Sequence, residues 1–307
     1  MGWPGLGGAR AEAVGVAEEA CEPVGDAAML GVSMASATSD AALLEQVRRG
    51  DGDAMEELLR RHEPRIYRFG LRMCGNEDDA RDVLQETLLS AFRNLATFRG
   101  DAQLSTWLYQ IARSFCIKQR RRHEGEPATH EPVDASEVRQ LPSPQVADDA
   151  RAHAREVGAL IQAAMQTLPR DHREALVLRD VEGLTAEEAA VVAGVEVAAL
   201  KSRLHRGRLA LKKHLAAVLD ETPDAAGCPE LAQELSAYAA SEIDQAACVR
   251  IEEHLAACAR CTAACDSLKK TVSMCRAIPG GEVPPPVRAA VRSALRRLGV
   301  MGGAAAP

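Results

Sequence analysis

An all-α fold is predicted by three observations on this 307-residue sequence. Aromatic residues make up only 3% of it, Ala, Leu, Val, Glu and Arg are abundant, and its apolar residues recur at helical spacing behind plausible caps. Strands draw on β-branched and aromatic side chains, so a sheet protein of this composition would lack material for its core. The length allows two or three domains, and 47% hydrophobic with 26% charged residues is ordinary for a chain that folds in water. A formal net charge of −7 argues against a protein that coats nucleic acid generally. Any DNA contact has to come from local basic patches, and the acidic remainder suits a basic protein partner.

Residues 1–38 are rich in Gly and Ala without a sustained period and read as a disordered tail. Met29 and Met34 lie just ahead of the first organised segment, so a start at Met1, Met29 or Met34 would leave the same folded region. Ser39 is placed to cap a helix DAALLEQVRRG ending at Gly50. After DGDA, a second helix MEELLRRHEPRIYRFGLRMCG reaches Gly75, with a bend or break expected at Pro64. Asn76 caps EDDARDVLQETLLSAFRNL, whose stripe Ala80, Val83, Leu84, Thr87, Leu88 and Ala91 leaves Asp79, Asp82, Gln85 and Glu86 on other, acidic faces.

The loop ATFRGDAQ then leads into STWLYQIARSFCIKQRRRH, with Ser105 as its cap. Trp107, Leu108, Ile111, Ala112 and Phe115 share its apolar face, and it ends in Lys118, Arg120, Arg121 and Arg122. A helix C-terminus favours cations, which explains part of that cluster but not all of it. Residues 124–150, with Pro127, Pro132, Pro142 and Pro144 and no apolar period, read as a linker.

Leu184 to Leu215 states a geometry and a partner together. Thr185 and Glu188 form a capping box for a short helix, Gly194 can take the positive φ of a sharp turn, and a second helix from Val195 repeats Val197, Leu200, Leu204 and Leu211. This is a helix-turn-helix. Its second helix carries Lys201, Arg203, His205, Arg206, Arg208, Lys212 and Lys213 with no acidic residue, a face suited to the DNA major groove and its phosphates.

Six of the nine cysteines, Cys228, Cys248, Cys258, Cys261, Cys265 and Cys275, crowd into one C-terminal segment, while Cys21, Cys74 and Cys116 are scattered. No run of 18 or more apolar residues exists and the N-terminus lacks a basic-then-apolar leader, so a secreted disulfide framework is disfavoured and a cytoplasmic location expected. Cys228, His254, Cys258 and Cys261 follow a C-x25-H-x3-C-x2-C pattern, with the last three within about two helical turns on a continuous helix. A tetrahedral N/S site follows, with zinc as the default metal. Cys248, Cys265 and Cys275 exceed what one such site needs, and Cys265 could replace a ligand or pair with one. The segment is therefore a static zinc module, a thiol switch, or a sensor of a second soft metal such as copper or cadmium. A zinc hydrolase is disfavoured: Glu252 and Glu253 flank His254, but three cysteines with one histidine make a closed site. No phosphate loop or nucleophile elbow is present elsewhere, so no enzymatic activity is expected. The tail holds a short basic amphipathic stretch, VRAAVRSALRRLG, for which solvated packing is expected.

The ordered set DDARDVLQETLLSAFRNL, FRGDAQLSTWLYQIARSFCIKQRRR, LPRDHREALVLRDVEGLTAEEAA and VAALKSRLHRGRLAL resembles regions two and four of the extracytoplasmic-function class of sigma-70 factors, the promoter-recognition subunits of bacterial RNA polymerase. The resemblance implies a region-two bundle over 39–123 and a region-four helix-turn-helix over 151–220. It implies that Asp79, Asp82, Gln85 and Glu86 dock on the β′ clamp helices of core polymerase, with the β flap as a further contact. Phe98, Arg99, Trp107, Tyr109, Arg113, Lys118, Arg121 and Arg122 would receive the melted −10 strand, Trp107 chiefly as a core residue. Lys201, Ser202, Arg203, His205, Arg206 and Arg208 would read the −35 element. Ala198 and Ala199 stand where many relatives have Gly and a hydroxylated residue, so base preference is expected to differ.

The cysteine segment over 221–278 is similar to the zinc-binding anti-sigma family, here fused after the recognition helix, with residues 279–307 as tail. This implies autoinhibition by a metal- or redox-responsive domain and admits a separate anti-sigma factor as a further partner. The rival reading is a stand-alone helix-turn-helix regulator with a metal-sensing tail, which would bind its operator without polymerase.

Overall fold

Capping residues set the first three helices, α1 (Asp40–Arg48), α2 (Gly52–Cys74) and α3 (Glu77–Asn94), and α4 (Leu104–Gly125) follows them. The structure is a computed structural model that describes residues 38–95, 98, 100, 103–125, 149–216, 227–278 and 282–297. Residues 1–37 of the tail expected over 1–38, and most of the predicted linker, lie outside them. Ser39 Oγ accepts from the Ala42 N–H at 3.2 Å, and Asn76 Oδ1 accepts from the Asp79 N–H at 2.8 Å. Asp51 caps α2, which therefore begins before the predicted Met55. Helix α4 begins at Leu104, so Ser105 lies inside it.

The break expected at Pro64 is absent: α2 runs through it. Proline removes one i→i−4 bond there, and burial of Leu58, Leu59, Ile66 and Phe69 on either side in one core holds the helix together. Gly75 ends α2 at φ 88°, and a Cβ on it would lie 2.9 Å from Gln166. The α3 stripe is buried as the sequence predicts.

Four further helices make the second module: α5 (Asp149–Gln166), α6 (Arg170–Leu176) continued by a π-helical turn at Val177–Val181, α7 (Ala186–Ala193) and α8 (Val197–Leu215). The Thr185–Glu188 capping box forms, with bonds of 3.1 and 2.9 Å, and Gly194 turns the chain at φ 66°. Helix α8 starts at Val197, two residues later than predicted. A third module follows: a 3-10 turn at Pro229–Leu231, α9 (Ala232–Ala239), α10 (Gln245–Ala257) and α11 (Ala259–Arg276).

One apolar cluster runs through the first and second modules and takes in Cys275 and Ile278 at the far end of α11. The third module has a small cluster of its own, Leu235, Ala239, Ile251, Cys261, Cys265 and Leu268. Among the described residues no strand forms and no helix is long and apolar enough to cross a membrane.

The tail helix α12 (Pro285–Arg297) corrects the expectation of solvated packing. Val287, Val291 and Leu295, spaced at i, i+4 and i+8, are buried in the large cluster against α3. Arg288 Nε lies 3.4 Å from Glu63 Oε2 and Arg292 Nε 3.5 Å from Glu56 Oε1, both on α2. Val291 is 1% exposed, so Val291→Asp would bury an unpaired carboxylate. The expected result is release of α12, read as loss of hydrogen-exchange protection over 285–297 while α1–α4 stay protected. Unchanged protection of α12 would show that its docking is not held by this stripe.

Candidate nucleic-acid interface and metal centre

Helix α3 presents the acidic residues singled out in the sequence. Asp79 accepts from Asn76 Nδ2 at 2.7 Å and from Gln119 Nε2 at 2.9 Å, and Gln119 also reaches Asp82 at 3.3 Å. Asp82 and Glu86 are exposed, Asp79 and Gln85 half-buried. Asp82, Gln85 and Glu86 share a 160 Å³ groove with Phe115, Lys118 and Gln119 of α4, so the expected polymerase face and part of the expected −10 surface adjoin. Lys118 is exposed, 6.0 Å above the Phe115 ring.

Most of the other residues assigned to melted DNA face inward. Phe98 is 8% exposed and stacks at 5.2 Å on Trp107, which is half-buried as its register predicts. Tyr109 is 2% exposed and donates its hydroxyl to Glu182 Oε2 at 2.6 Å. Arg113 Nε donates to Glu174 Oε1 at 2.7 Å. The expectation that Tyr109 and Arg113 lie open to a single strand is therefore corrected for this conformation. Their partners belong to the second module, 73 and 61 residues away, where no local pattern reveals them. Arg121 is exposed, whereas Arg99 and the Arg122 side chain lie outside the described residues.

The same seam closes elsewhere. Glu182, with no exposed side-chain surface, also accepts from Arg68 Nε at 2.6 Å and Nη2 at 2.5 Å. The last carbonyls of α2 are satisfied by the second module: Gln162 Nε2 donates to Leu71 O at 3.0 Å, Gln166 Nε2 to Arg72 O at 2.8 Å and Arg173 Nη1 to Met73 O at 3.0 Å. The two modules therefore cap and neutralise one another.

On α8, Lys201 and Arg206 are exposed, and Ser202 and Arg203 half-buried, with Arg203 3.6 Å from Asp171. His205 is half-buried, and burial together with Arg208 and Arg206 lowers its pKa. Arg208 is a correction. It is 1% exposed and donates to Asp180 at 2.9 and 2.6 Å, to Glu242 at 3.2 and 2.8 Å and to Ser236 O at 3.1 Å. It lies four residues after Leu204 and three before Leu211, inside the apolar stripe, and that spacing was the available signal. Arg179 Nε also lies 2.8 Å from Glu242, so this carboxylate ties the third module to the second.

Cys228, His254, Cys258 and Cys261 place one donor atom each within 4.8 Å of all the others. Cys228 precedes the 3-10 turn, His254 lies in the last turn of α10 and Cys261 in the first turn of α11. The continuous helix predicted through His254–Cys261 is corrected: Cys258, at φ −130° and ψ 93°, breaks it into a corner. The corner brings together donors that one straight helix would spread along its length.

Cys261 Sγ accepts from the Cys228 N–H at 3.2 Å and lies 3.2 Å from His254 Nε2. The backbone N–H and thiol of Cys261 lower the Cys258 thiol to about 7, while burial raises Cys261. A tetrahedral zinc–thiolate shell has sulfur–sulfur edges of about 3.8 Å, so this donor set fits such an ion. Cys265, 1% exposed, packs with Leu235, Ile251 and Leu268 and is not one of the four grouped donors. Cys248 is 4% exposed and Cys275 1%, and burial raises the Cys275 thiol; neither belongs to the four-donor group.

Comparison with known proteins places these features. Residues 58–126 match Sigma-70 region 2, residues 158–211 match Sigma-70, region 4, and residues 228–262 match a zinc-finger family. The chain is 36% identical over 186 residues to the ECF RNA polymerase sigma factor SigE of Mycolicibacterium smegmatis, covering 58% of this chain and 68% of that protein. It is 34% identical to the RNA polymerase sigma-H factor of Pseudomonas aeruginosa, covering 61% of this chain and all of that one. To SigW of Bacillus subtilis it is 31% identical, over 56% of this chain and 94% of that one.

Proposed function

The chain belongs to the extracytoplasmic-function family of RNA polymerase sigma factors, and we propose that the closed arrangement described above is its silent form, governed by the fused metal module. As a sigma factor it directs core polymerase to promoters. The observation that carries the reading is the Glu182 contact: Arg68 and Tyr109 of region two are spent on a carboxylate of region four, and Arg113 on Glu174. In this state residues proposed to hold the −10 strand are covered by the module proposed to read the −35 element through Lys201, Ser202, Arg203, His205 and Arg206. Opening exchanges these contacts for Asp79, Asp82, Gln85 and Glu86 on the polymerase clamp and for Phe98, Trp107, Lys118 and Arg121 on DNA.

Cys228, His254, Cys258 and Cys261 would hold zinc, which supplies a closed tetrahedral cross-link at the α10–α11 corner. Helix α11 carries a ligand in its first turn and Cys275 beside Arg72, Asp180 and Arg208 in its last. Its 18 residues span about 27 Å, so ligation at one end and the sigma-module contacts at the other load the same helix. Copper or cadmium that reorders the thiolates would act on the same helix.

Run-off transcription with purified core polymerase tests this reading, comparing the full chain with one ending at Asp220 across zinc, copper, cadmium and peroxide. The shortened chain is expected to be active regardless of metal, and the full chain only under the condition that reorders its ligands. Equal metal dependence of both chains would refute control by the C-terminal module.

A further inference from the structure

Two cysteines far apart in sequence meet in region two, away from the metal centre. Cys74 ends α2 and Cys116 lies within α4, with their sulfurs 3.8 Å apart. Cys116 is 5% exposed, whereas Cys74 is half-buried, and both line a cavity of 180 Å³ together with Asp79, Gln119, Arg170 and Arg173. Arg170 Nη2 and Arg173 Nε are buried there without hydrogen-bond partners. Orphaned guanidinium donors beside a thiol stabilise a thiolate, and equally the negative charge on an oxygen leaving it.

We propose that Cys74 and Cys116 form a hydroperoxide-oxidised dithiol, with Cys74 as the attacking thiolate and Cys116 as the resolving thiol. The two sulfurs are not equivalent. The Cys116 thiol, hydrogen-bonded to Cys74, holds Cys74 below the ordinary thiol range; burial and the Asp79 carboxylate oppose this, and Arg170 and Arg173 add to it. The same bond, and burial, hold Cys116 well above that range. A half-buried thiol that ionises more readily than usual and a buried thiol that keeps its proton are the pair that stepwise oxidation requires.

In the first step the Cys74 sulfur attacks one oxygen of hydrogen peroxide. An S–O bond forms, the O–O bond breaks, and the departing hydroxide takes a proton from solvent to leave as water. Sulfur loses two electrons, the peroxide gains them, and Cys74 becomes a sulfenic acid. In the second step the Cys116 sulfur attacks that sulfur: an S–S bond forms, the S–O bond breaks, and hydroxide leaves with the Cys116 proton as water. Closing the pair from 3.8 Å to the bonded distance of about 2.05 Å draws the last turn of α2 towards α4. That turn carries Met73 O, which accepts from Arg173, and Gly75, which abuts Gln166, so oxidation acts on the region two–region four seam.

The chemistry can be read without transcription. The full-length zinc-loaded protein is treated with an equimolar amount of hydrogen peroxide, alkylated, digested with trypsin and mapped by mass spectrometry. Cys74 lies in the peptide Met73–Arg81 and Cys116 in Ser114–Lys118, each with one cysteine. The expected product is these two peptides joined with the loss of two hydrogens. Cys116→Ser should instead leave Cys74 as a sulfenic acid that dimedone traps, and Cys74→Ser should leave Cys116 free to alkylate. Circular dichroism confirms that both near-isosteric variants are folded. Full alkylation of Cys74 and Cys116 after peroxide treatment overturns the proposal, as does equal oxidation of Cys116 in Cys74→Ser.

Discussion

Replacing Cys261 with serine in the full-length chain is expected to abolish stoichiometric zinc binding and to melt the front of the third module. Its own apolar cluster holds only six buried residues, one of them Cys261 itself and another Cys265. So small a core cannot offset the conformational entropy of ordering the segment from Gly227 to the middle of α11. In small zinc modules the metal supplies an apparent folding free energy of about 10–16 kcal/mol, so its loss outweighs every other contact at this corner. The loss should stop partway along α11, because Cys275 and Ile278 are anchored in the core of the sigma modules.

Zinc release assayed with a chromogenic chelator, together with hydrogen exchange over 227–278, reads both effects. Cys265→Ser separates ligand from core: it should keep the metal and lose only about 1–3 kcal/mol for a buried hydroxyl in an apolar site. Retention of one zinc and of exchange protection by Cys261→Ser would remove that residue from the ligand set.

Features carried by local chemistry were legible in the sequence. Ser39, Asn76 and Thr185 with Glu188 cap helices where their side chains have backbone N–H groups within three residues. The α3 stripe follows from a 3.6-residue period, and the grouping of Cys228, His254, Cys258 and Cys261 from their spacing. What was not legible depends on partners chosen across the fold. Nothing near Tyr109 or Arg113 announces Glu182 or Glu174, so both read as open to DNA. Pro64 reads as a break because the packing that carries α2 through it is tertiary. Two misreadings left a trace in the pattern. Val287, Val291 and Leu295 form a stripe that a solvated helix has no need of, and Arg208 occupies an apolar position of α8. A cation at a stripe position predicts a buried carboxylate to meet it, and two meet this one.

Arg208→Ala is expected to destabilise the sigma modules by about 3–5 kcal/mol, the usual cost of removing one partner from a buried ion pair. The alanine removes the cation and leaves Asp180, whose side chain is 1% exposed, without the bidentate donor that neutralises it. Glu242 loses less, because Arg179 remains 2.8 Å from it. Glu242→Ala is therefore the informative companion: Arg208 keeps both bonds to Asp180, region four stays folded, and the tie to the third module is weakened to the Ser236 carbonyl and the α11 packing. Urea denaturation should show a large drop in midpoint for Arg208→Ala and a small one for Glu242→Ala. Transcription by Glu242→Ala should rise without added metal. The double variant should lose less than the sum of the two, since both act through one network. An Arg208→Ala midpoint equal to that of the parent would mean that Arg208 is free to turn outward, and would return it to the −35 surface.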